Sequence, residues 1–558
     1  MKNLLKLSVI IVLVAIIGFT MAACSDGGGG RGSGGGGNGD GSGGGGNGGS
    51  DGDGKTALQF FTDNNIKAGW NLGNTLDAVE FNGDVPTKAE ETAWGNPAAT
   101  QQLFNGVKQS GFDIVRIPVS WIEKIGPAPD YTIDETWLKR VAEVVGYAKT
   151  AGIKAMIINI HHDGNNTAGD NSVWGFVDFP AAVNNAAKKN EIQNQIAAVW
   201  TQIAEYFKDY GDYLIFETLN EVHNGNWGNG ASTKEQDILF DWNQAALSAI
   251  RATGGNNATR FVAVPGLGST EPDIVVAANN RNKLLPNDGS NGTSRLIVSV
   301  HYYAPVQYTV LGETELIHTW GNQYEINSLN HEMGLLKTNF IDKGIAVYIG
   351  EWGTQTETRS GMSTEIKNTH LNYIRSVATA ARANGVVPIY WDDGGNFKML
   401  ERLNGRPKTG LWADVLSTMM TAINNTTPGS QVISLARNTG PGYDNWQAFY
   451  DTGTTITSGN TFTFAYTFTS NVAIKNDLNV FLVDNSSAVS YWDTLSDAVS
   501  IQSNIAAGTA VSGTKTITAA KTSSSTAADA NRLVFQADYG SEASAPILTF
   551  TTLTLVKN

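Results

Sequence analysis

Two glutamates stand out by where they fall. The runs Phe216-Glu217-Thr218-Leu219-Asn220-Glu221 and Tyr348-Ile349-Gly350-Glu351-Trp352-Gly353 each close an apolar, strand-like stretch with an acid at its C-terminal edge. Two carboxyls facing each other across the mouth of a barrel of parallel strands supply one general acid and one nucleophile, the minimum for breaking a glycosidic bond. Asn220, directly before Glu221, puts an amide where it can hold a sugar hydroxyl while the acid protonates the leaving oxygen. Arg116, at the end of an earlier run, is expected to keep a nucleophilic glutamate ionised, because a nearby cation lowers a carboxyl pKa by about 1 to 3 units. Glu217 stands four residues before Glu221 and so on the same face of an extended strand. It reads as a structural carboxylate deeper in the barrel, paired with a cation. The plainer alternative for Glu221 and Glu351 is a solvated acid at a strand end.

The histidines raise the question of a metal. Zinc needs three or four converging ligands, whereas His161-His162-Asp163 and His223 lie in no helical two-histidine motif flanked by glutamate, and no cysteine is placed to ligate. Their expected work is hydrogen bonding to substrate hydroxyls and to the carboxylates, with no metal and no cofactor. His301 and Tyr303 share a strand face, so both can point at the nucleophile, while Tyr302 between them faces the other way and packs. Trp391 supplies an apolar floor for one sugar ring.

Elements that could carry these residues recur along the chain. Strand-like runs are read at Ala68–Leu72, Ile114–Ser120, Lys154–His161, Leu214–Glu221, Phe261–Gly266, Leu296–Tyr303, Val347–Glu351 and Val387–Trp391. Stretches with apolar residues at spacings of three and four lie between them, as in Asp134–Thr150, Glu191–Tyr210 and Ser363–Asn384. Alternation of this kind predicts an α/β fold, and eight units over this length predict a closed (β/α)8 barrel rather than an open sheet. Polar and aromatic residues crowd the C-terminal ends of the runs: Asn71, Arg116, His161, Glu221, His301, Glu351, Trp391. Beyond residue 428 the texture changes to period-two alternation, as in Thr461-Phe462-Thr463-Phe464-Ala465-Tyr466, which predicts an antiparallel β-sandwich over residues 429–558. Trp446, Tyr450, Tyr491 and Trp492 are its candidate sugar-stacking residues, with core packing as the alternative.

The chain of 558 residues carries 52 acidic and 38 basic side chains, a net charge of -14. That field repels polyanions and leaves a neutral polysaccharide unaffected, which excludes nucleic acid as the expected partner. Lys2 and Lys6, an apolar run from Leu7 to Phe19 and then Met21-Ala22-Ala23-Cys24 read as a signal peptide over residues 1–24. Cys24, the lone cysteine, follows two small residues as in a bacterial lipobox, so lipidation there and a membrane or cell-surface location are expected; the alternative is plain secretion. Residues 25–54, nearly all glycine, form a flexible tether with a reach of roughly 30 Å. The barrel is expected over 55–428, and the protein as a monomer.

Taken together, Gly69-Trp70-Asn71-Leu72-Gly73-Asn74-Thr75-Leu76-Asp77-Ala78, Val115-Arg116-Ile117-Pro118-Val119-Ser120-Trp121, Ile158-Asn159-Ile160-His161-His162-Asp163, Leu219-Asn220-Glu221, His301-Tyr302-Tyr303 and Ile349-Gly350-Glu351-Trp352-Gly353 closely resemble glycoside hydrolase family 5 over about Leu58 to Thr427. The Asn-Leu-Gly-Asn-Thr-Leu-Asp-Ala form is similar to subfamily 4, which includes endo-β-1,4-glucanases, lichenases and xyloglucan-specific enzymes. The resemblance implies a retaining double displacement on a β-glucan, with Glu221 as acid/base and Glu351 as nucleophile. Arg116, His161, Asn220, His301, Tyr303 and Trp391 fall on the family's active-site positions, and Asn74 and His162 complete the expected substrate-binding set. Val222 departs from the proline that many members carry there, which alters the following loop, where His223 and Trp227 could touch substrate. The C-terminal sandwich looks like a carbohydrate-binding module. A β-mannanase on the same scaffold and a non-catalytic glycan-binding lipoprotein are the rival readings.

Overall fold

The computed structural model describes residues 54–558 except 84, 165–174, 226, 228–230, 311–315, 430, 434–435, 439–446, 453, 475–476, 485–492, 524–530 and 538–547. The leader, Cys24 and all but the last residue of the tether lie outside the described residues, as do Trp446, Tyr491 and Trp492.

The barrel begins with β1 (Gly69–Asn71), followed by a hairpin of β2 (Val79–Asn82) and β3 (Val85–Ala89). Seven further strands complete it: β4 (Ile114–Ile117), β5 (Ala155–Asn159), β6 (Leu214–Glu217), β7 (Val262–Pro265), β8 (Leu296–Tyr302), β9 (Ala346–Trp352) and β10 (Val387–Tyr390). These strands pair in parallel and in chain order, and β10 pairs back onto β1, which closes the barrel. Helices Glu135–Thr150, Ala186–Tyr206 and Thr364–Ala383 start where a side chain can satisfy their free N–H groups: Asp134, Asn185 and Ser363 are the N-caps. The second begins earlier and ends earlier than its sequence pattern indicates.

Period-two alternation divides the barrel residues between two environments. Outward positions such as Val115, Met156, Phe216, Val298 and Ile349 join the layer packed under the helices. Inward positions Ile114, Ile157, Ile215, Ala263, Ile297 and Ile389 fill the interior, and Ala57, Phe61 and Ile66 join them, so the helix Ala57–Asp63 packs against the N-terminal end of the barrel. Gly69 faces this filled space: a Cβ there would meet Ile389 at 2.7 Å and Ile114 at 2.9 Å. One layer further along the axis the inward residues turn polar, namely Asn71, Arg116, Asn159, Glu217, Ser299 and the hydroxyl of Tyr348, all buried.

Three strands stop two or more residues sooner than the apolar runs predict. β4, β5 and β6 end at Ile117, Asn159 and Glu217 rather than at Ser120, His161 and Glu221. At β6 the cause is local: Glu221 has φ +38°, a left-handed conformation that cannot continue an extended ladder. Glu221 therefore leaves the strand and turns over the barrel mouth instead of following Glu217 along one face.

The C-terminal strands form two antiparallel sheets. One orders β11 (Gln431–Ile433), β20 (Leu548–Lys557), β14 (Thr461–Ser470) and β18 (Val511–Thr518); the other orders β12 (Ala436–Asn438), β13 (Gln447–Asp451), β19 (Asn531–Ala537), β15 (Leu478–Asp484) and β16 (Asp493–Thr494), with β17 (Val499–Gln502) also on β15. Phe462, Phe464, Phe468, Leu482, Leu533 and Phe535 share its core. Tyr450 belongs to that core as well. It is 7% exposed and meets Phe535 and Phe550 edge-on at 6.1 and 5.5 Å, so it packs rather than offering a face to sugar. No helix among the described residues is long and apolar enough to cross a membrane.

Candidate active site

The polar layer inside the barrel is organised around one ion pair. Arg116 Nε donates to Glu217 Oε2 at 2.8 Å, and both side chains are buried. Glu217 also accepts from Asn159 Nδ2 at 2.8 Å, Ser299 Oγ at 2.5 Å and the Tyr348 hydroxyl at 3.0 Å. Burial pushes its carboxyl up, but the Arg116 charge and the Ser299 hydrogen bond outweigh it, and the net direction is down: Glu217 stays an anion. This is the structural carboxylate expected from the sequence.

The free nitrogens of Arg116 point up to the mouth. Nη1 donates to Glu351 Oε1 at 2.7 Å and contacts Asn71 Oδ1 at 3.3 Å; Nη2 donates to Asn220 Oδ1 at 2.6 Å. Asn220 is thereby turned with its Nδ2 outward, and that buried nitrogen makes no hydrogen bond among the described residues. A bulge aims Glu351. Val300 pairs with Ile349 and His301 with Glu351, so Gly350 is an extra residue on β9. Strict alternation from Tyr348 would turn Glu351 away from the axis; the bulge returns it. A side chain at Gly350 would crowd Ser299 Oγ, Tyr348 and His301 Nε2 at 3.2 to 3.3 Å. Asn71 Nδ2 holds the Gly350 carbonyl at 2.7 Å.

Glu221 and Glu351 face each other, with one oxygen of each within 4.8 Å. His301 lies between them, its Nδ1 at 2.6 Å from Glu221 Oε1 and 3.7 Å from Glu351 Oε2. The sequence reading aimed His301 at the nucleophile; its nearer carboxyl is Glu221. Burial depresses His301 to about 4, so it is neutral. The Tyr303 hydroxyl donates to Glu351 Oε2 at 3.2 Å. Tyr302 packs outward into the helix layer.

The two acids have different surroundings. Burial raises Glu221 to about 7, with Arg116 opposing. Burial also raises Glu351, against the combined pull of His301 and Arg116. The net depression expected for Glu351 is therefore absent, because desolvation exceeds the pull of the cation. Still, of these two acids Glu351 is the one that accepts a hydrogen bond from the guanidinium.

Further along the cleft, the rings of His161 and Trp391 stack at 5.9 Å with 9° between planes. Trp391 is half-buried, and Asp392 anchors its segment by accepting from Trp70 Nε1, Met399 N and Leu400 N at 2.9 to 3.0 Å. His162 points at Asp77, with Nε2 3.6 Å from Oδ2, and its ring lies 5.4 Å from that of Trp94. Asn74 adopts φ +54° and donates its backbone N–H to Asp77 Oδ2 at 3.0 Å, which makes it a turn residue as the structure stands. His223 is buried beneath Trp227, ring centroids 4.0 Å apart, and its Nδ1 accepts from Gly225 N; the half-buried Trp227 is the outer member of the pair.

Two groups of described residues bring three possible metal ligands within 4.8 Å: Glu221, His301 and Glu351, and Asp77, His161 and His162. The first is the acid pair with its histidine. In the second, Asn159 Nδ2 contacts His161 Nδ1 at 3.3 Å, which directs the ring proton to Nε2, the atom a metal would need bare.

Asp77, Asn159, Ser299 and Tyr348 were absent from the expected site, and Asn71 was expected only as one of the polar residues at the strand ends. Asn71, Asn159, Ser299 and Tyr348 gave a faint signal, as polar groups at inward register positions of largely apolar strands, and Asp77 lies in the segment between β1 and β2.

A parallel barrel with two close, inward glutamates at the C-terminal ends of its strands is the architecture of a glycoside hydrolase. The family model for cellulase (glycosyl hydrolase family 5) matches residues 78–396. The chain belongs to glycosyl hydrolase family 5. It is 36% identical over 362 residues to the cellulase/esterase CelE of Acetivibrio thermocellus, covering 64% of this chain and 39% of that protein. With the xyloglucan-specific endo-beta-1,4-glucanase of Bacteroides ovatus it shares 32% identity over 357 residues, 61% of this chain and 66% of the relative. Among solved structures, a broad specificity endoglucanase of subfamily 4 from Bacteroides salanitronis is 38% identical, with a TM-score of 0.57, over 65% of this chain and 94% of that one.

The raised Glu221 has a direct kinetic consequence. A general acid works only while protonated, so kcat/KM on an aryl β-glycoside should fall as pH rises through about 7, and the limb should vanish in Glu221→Gln with a leaving group that needs no proton. A falling limb centred near an ordinary carboxyl pKa of about 4.3 would contradict the placement of this acid.

Proposed function

We propose that the protein is a retaining endo-β-1,4-glucanase. The observation that carries the reading is the pairing of Glu221 and Glu351 within 4.8 Å, close to the roughly 5 to 5.5 Å that a direct attack on the anomeric carbon requires. In the first step the Glu351 carboxylate attacks the anomeric carbon as Glu221 gives its proton to the leaving oxygen. Asn220 Nδ2, held outward by Arg116, is placed for the neighbouring sugar hydroxyl. Tyr303 and Arg116 steady Glu351 as its charge is spent in the bond. In the second step Glu221, now an anion beside neutral His301, takes a proton from water, and the water oxygen replaces Glu351 at the same face. The stacked Trp391 and His161 form the wall on which the sugar ring rests.

The endo-β-1,4-glucan preference is supported by the relatives' names and by the subfamily 4 form of the segment Asn71–Ala78, and xyloglucan and mixed-linkage glucan belong to the same proposed range. The N-terminal residues support a lipid anchor at Cys24, with the glycine tether holding the enzyme clear of the membrane. Two acyl chains or more hold a protein stably where one does so only marginally.

Two tests separate these elements. Glu351→Ala should abolish turnover and regain cleavage with azide, giving a product of inverted configuration; in Glu221→Ala, azide should give a product of retained configuration. Exchanged outcomes would reverse the roles, and products from mannan but not from β-glucans would replace the substrate. For the anchor, Cys24→Ala should leave the membrane fraction or remain unprocessed, with activity kept; an unlipidated wild-type protein in the culture fluid would contradict it.

A further inference from the structure

Asn159 occupies the last inward position of β5, between the buried ion pair and His161. Its amide orientation is determined on both sides. Oδ1 accepts from the backbone N–H of Val119 at 3.1 Å, and Nδ2 donates to Glu217 Oε2 at 2.8 Å, where an anion permits only a donor. The same Nδ2 faces His161 Nδ1 at 3.3 Å. An amide nitrogen can only donate, so Nδ1 must carry the lone pair and Nε2 the proton.

The far side of the ring makes the same demand. His161 Nε2 lies 3.9 Å from Asp77 Oδ2 and 3.9 Å from Glu351 Oε1. A lone pair at Nε2 would face two carboxylates; an N–H is attracted by both and is beyond hydrogen-bond distance of either. The ring cannot evade this choice by rotating freely, since Trp391 stacks on it and His162 meets it edge-on at 4.4 Å. Burial keeps the imidazole neutral, its pKa well below the usual value, so one proton must be placed on one nitrogen.

We propose that Asn159 is a positioning residue that sets the tautomer of His161, holding the proton on Nε2 so that the ring serves as a hydrogen-bond donor in the cleft beside Glu351. The donor's partner is a hydroxyl of the bound sugar, a part of the inference that rests on the glucanase reading. Glu217 thus controls two arms of the site with one carboxylate: Arg116 for the acids, and Asn159 for the histidine.

The test reads the tautomer directly in the full-length protein without substrate, and so stands apart from the identity of the glycan. With histidine-selective 15N labelling, long-range proton–nitrogen correlations assigned through His161→Gln should show wild-type His161 protonated at Nε2 and bare at Nδ1. Asn159→Asp, which puts an oxygen opposite Nδ1, should move the proton to Nδ1 and lower kcat/KM on an aryl β-cellobioside about ten-fold or more, and its carboxyl beside buried Glu217 should lower the thermal transition as well. Asn159→Ala, which adds no charge beside Glu217 and leaves only the two carboxylates at 3.9 Å to favour Nε2–H, should let a measurable share of the Nδ1 tautomer appear and give an intermediate rate. A wild-type ring protonated at Nδ1 would overturn the proposal, whether or not the aspartate variant folds. So would a ring that stays purely Nε2-protonated in Asn159→Ala.

Discussion

The site depends on a buried charge that cannot be left alone. An unpaired guanidinium inside a barrel is prohibitively costly, and removing one partner of such a pair costs about 3 to 5 kcal/mol. Arg116 avoids this by pairing with Glu217, and the remaining capacity of Glu217 is taken up by Asn159, Ser299 and Tyr348. With its Nε thus committed, Arg116 has only Nη1 and Nη2 to offer the mouth, and their directions follow from the planarity of the group. Glu351 and Asn220 are positioned by that geometry. A lysine could not do the same, because a single rotatable ammonium does not fix several acceptors at once.

The barrel contributes by making adjacent strands end at the same place. The polar layer lies directly above the apolar filling, so the network is shielded from below by Ile157, Ile215 and Ile389 and opens only toward the cleft. Two local departures from regular structure then finish the site. The bulge at Gly350 returns Glu351 to the axis, and the left-handed backbone of Glu221 lifts that acid off its strand. A non-glycine residue in that conformation costs of order 1 kcal/mol or more, a strain that the surrounding packing must hold. Both departures sit at the two facing carboxyls of the barrel mouth, Glu221 and Glu351.

Much of this was legible in the residues. All eight strands start within one residue of their apolar runs, and the crowding of Asn71, Arg116, His161, Glu221, His301, Glu351 and Trp391 at one end marks the mouth. Strand ends were less legible, because runs such as Ile114–Ser120 stay apolar past the point where pairing stops. The inner polar layer was largely hidden. Strands buried on both faces lack a polar–apolar rhythm, so Asn159 or Ser299 cannot be told from a solvent-facing residue without knowing the register. Asp77 was hidden for another reason: its partners, His161 and His162, come from the segment after β5 and meet it only when the barrel closes. In the sandwich, Tyr450 carried the composition of a sugar platform and the position of a core residue, and position decides.

The division of labour between Glu221 and Glu351 is the central proposal: Glu351, which accepts from Arg116 Nη1, as the nucleophile, and Glu221, against neutral His301, as the carrier of the proton. Trapping the covalent intermediate tests this most directly. The enzyme would be incubated with a 2-deoxy-2-fluoro-β-cellobioside bearing an activated leaving group, digested and mapped by mass spectrometry. The account predicts one fluorocellobiosyl group on Glu351. A label on Glu221 or any other residue, or turnover with inverted product and no adduct, would contradict it.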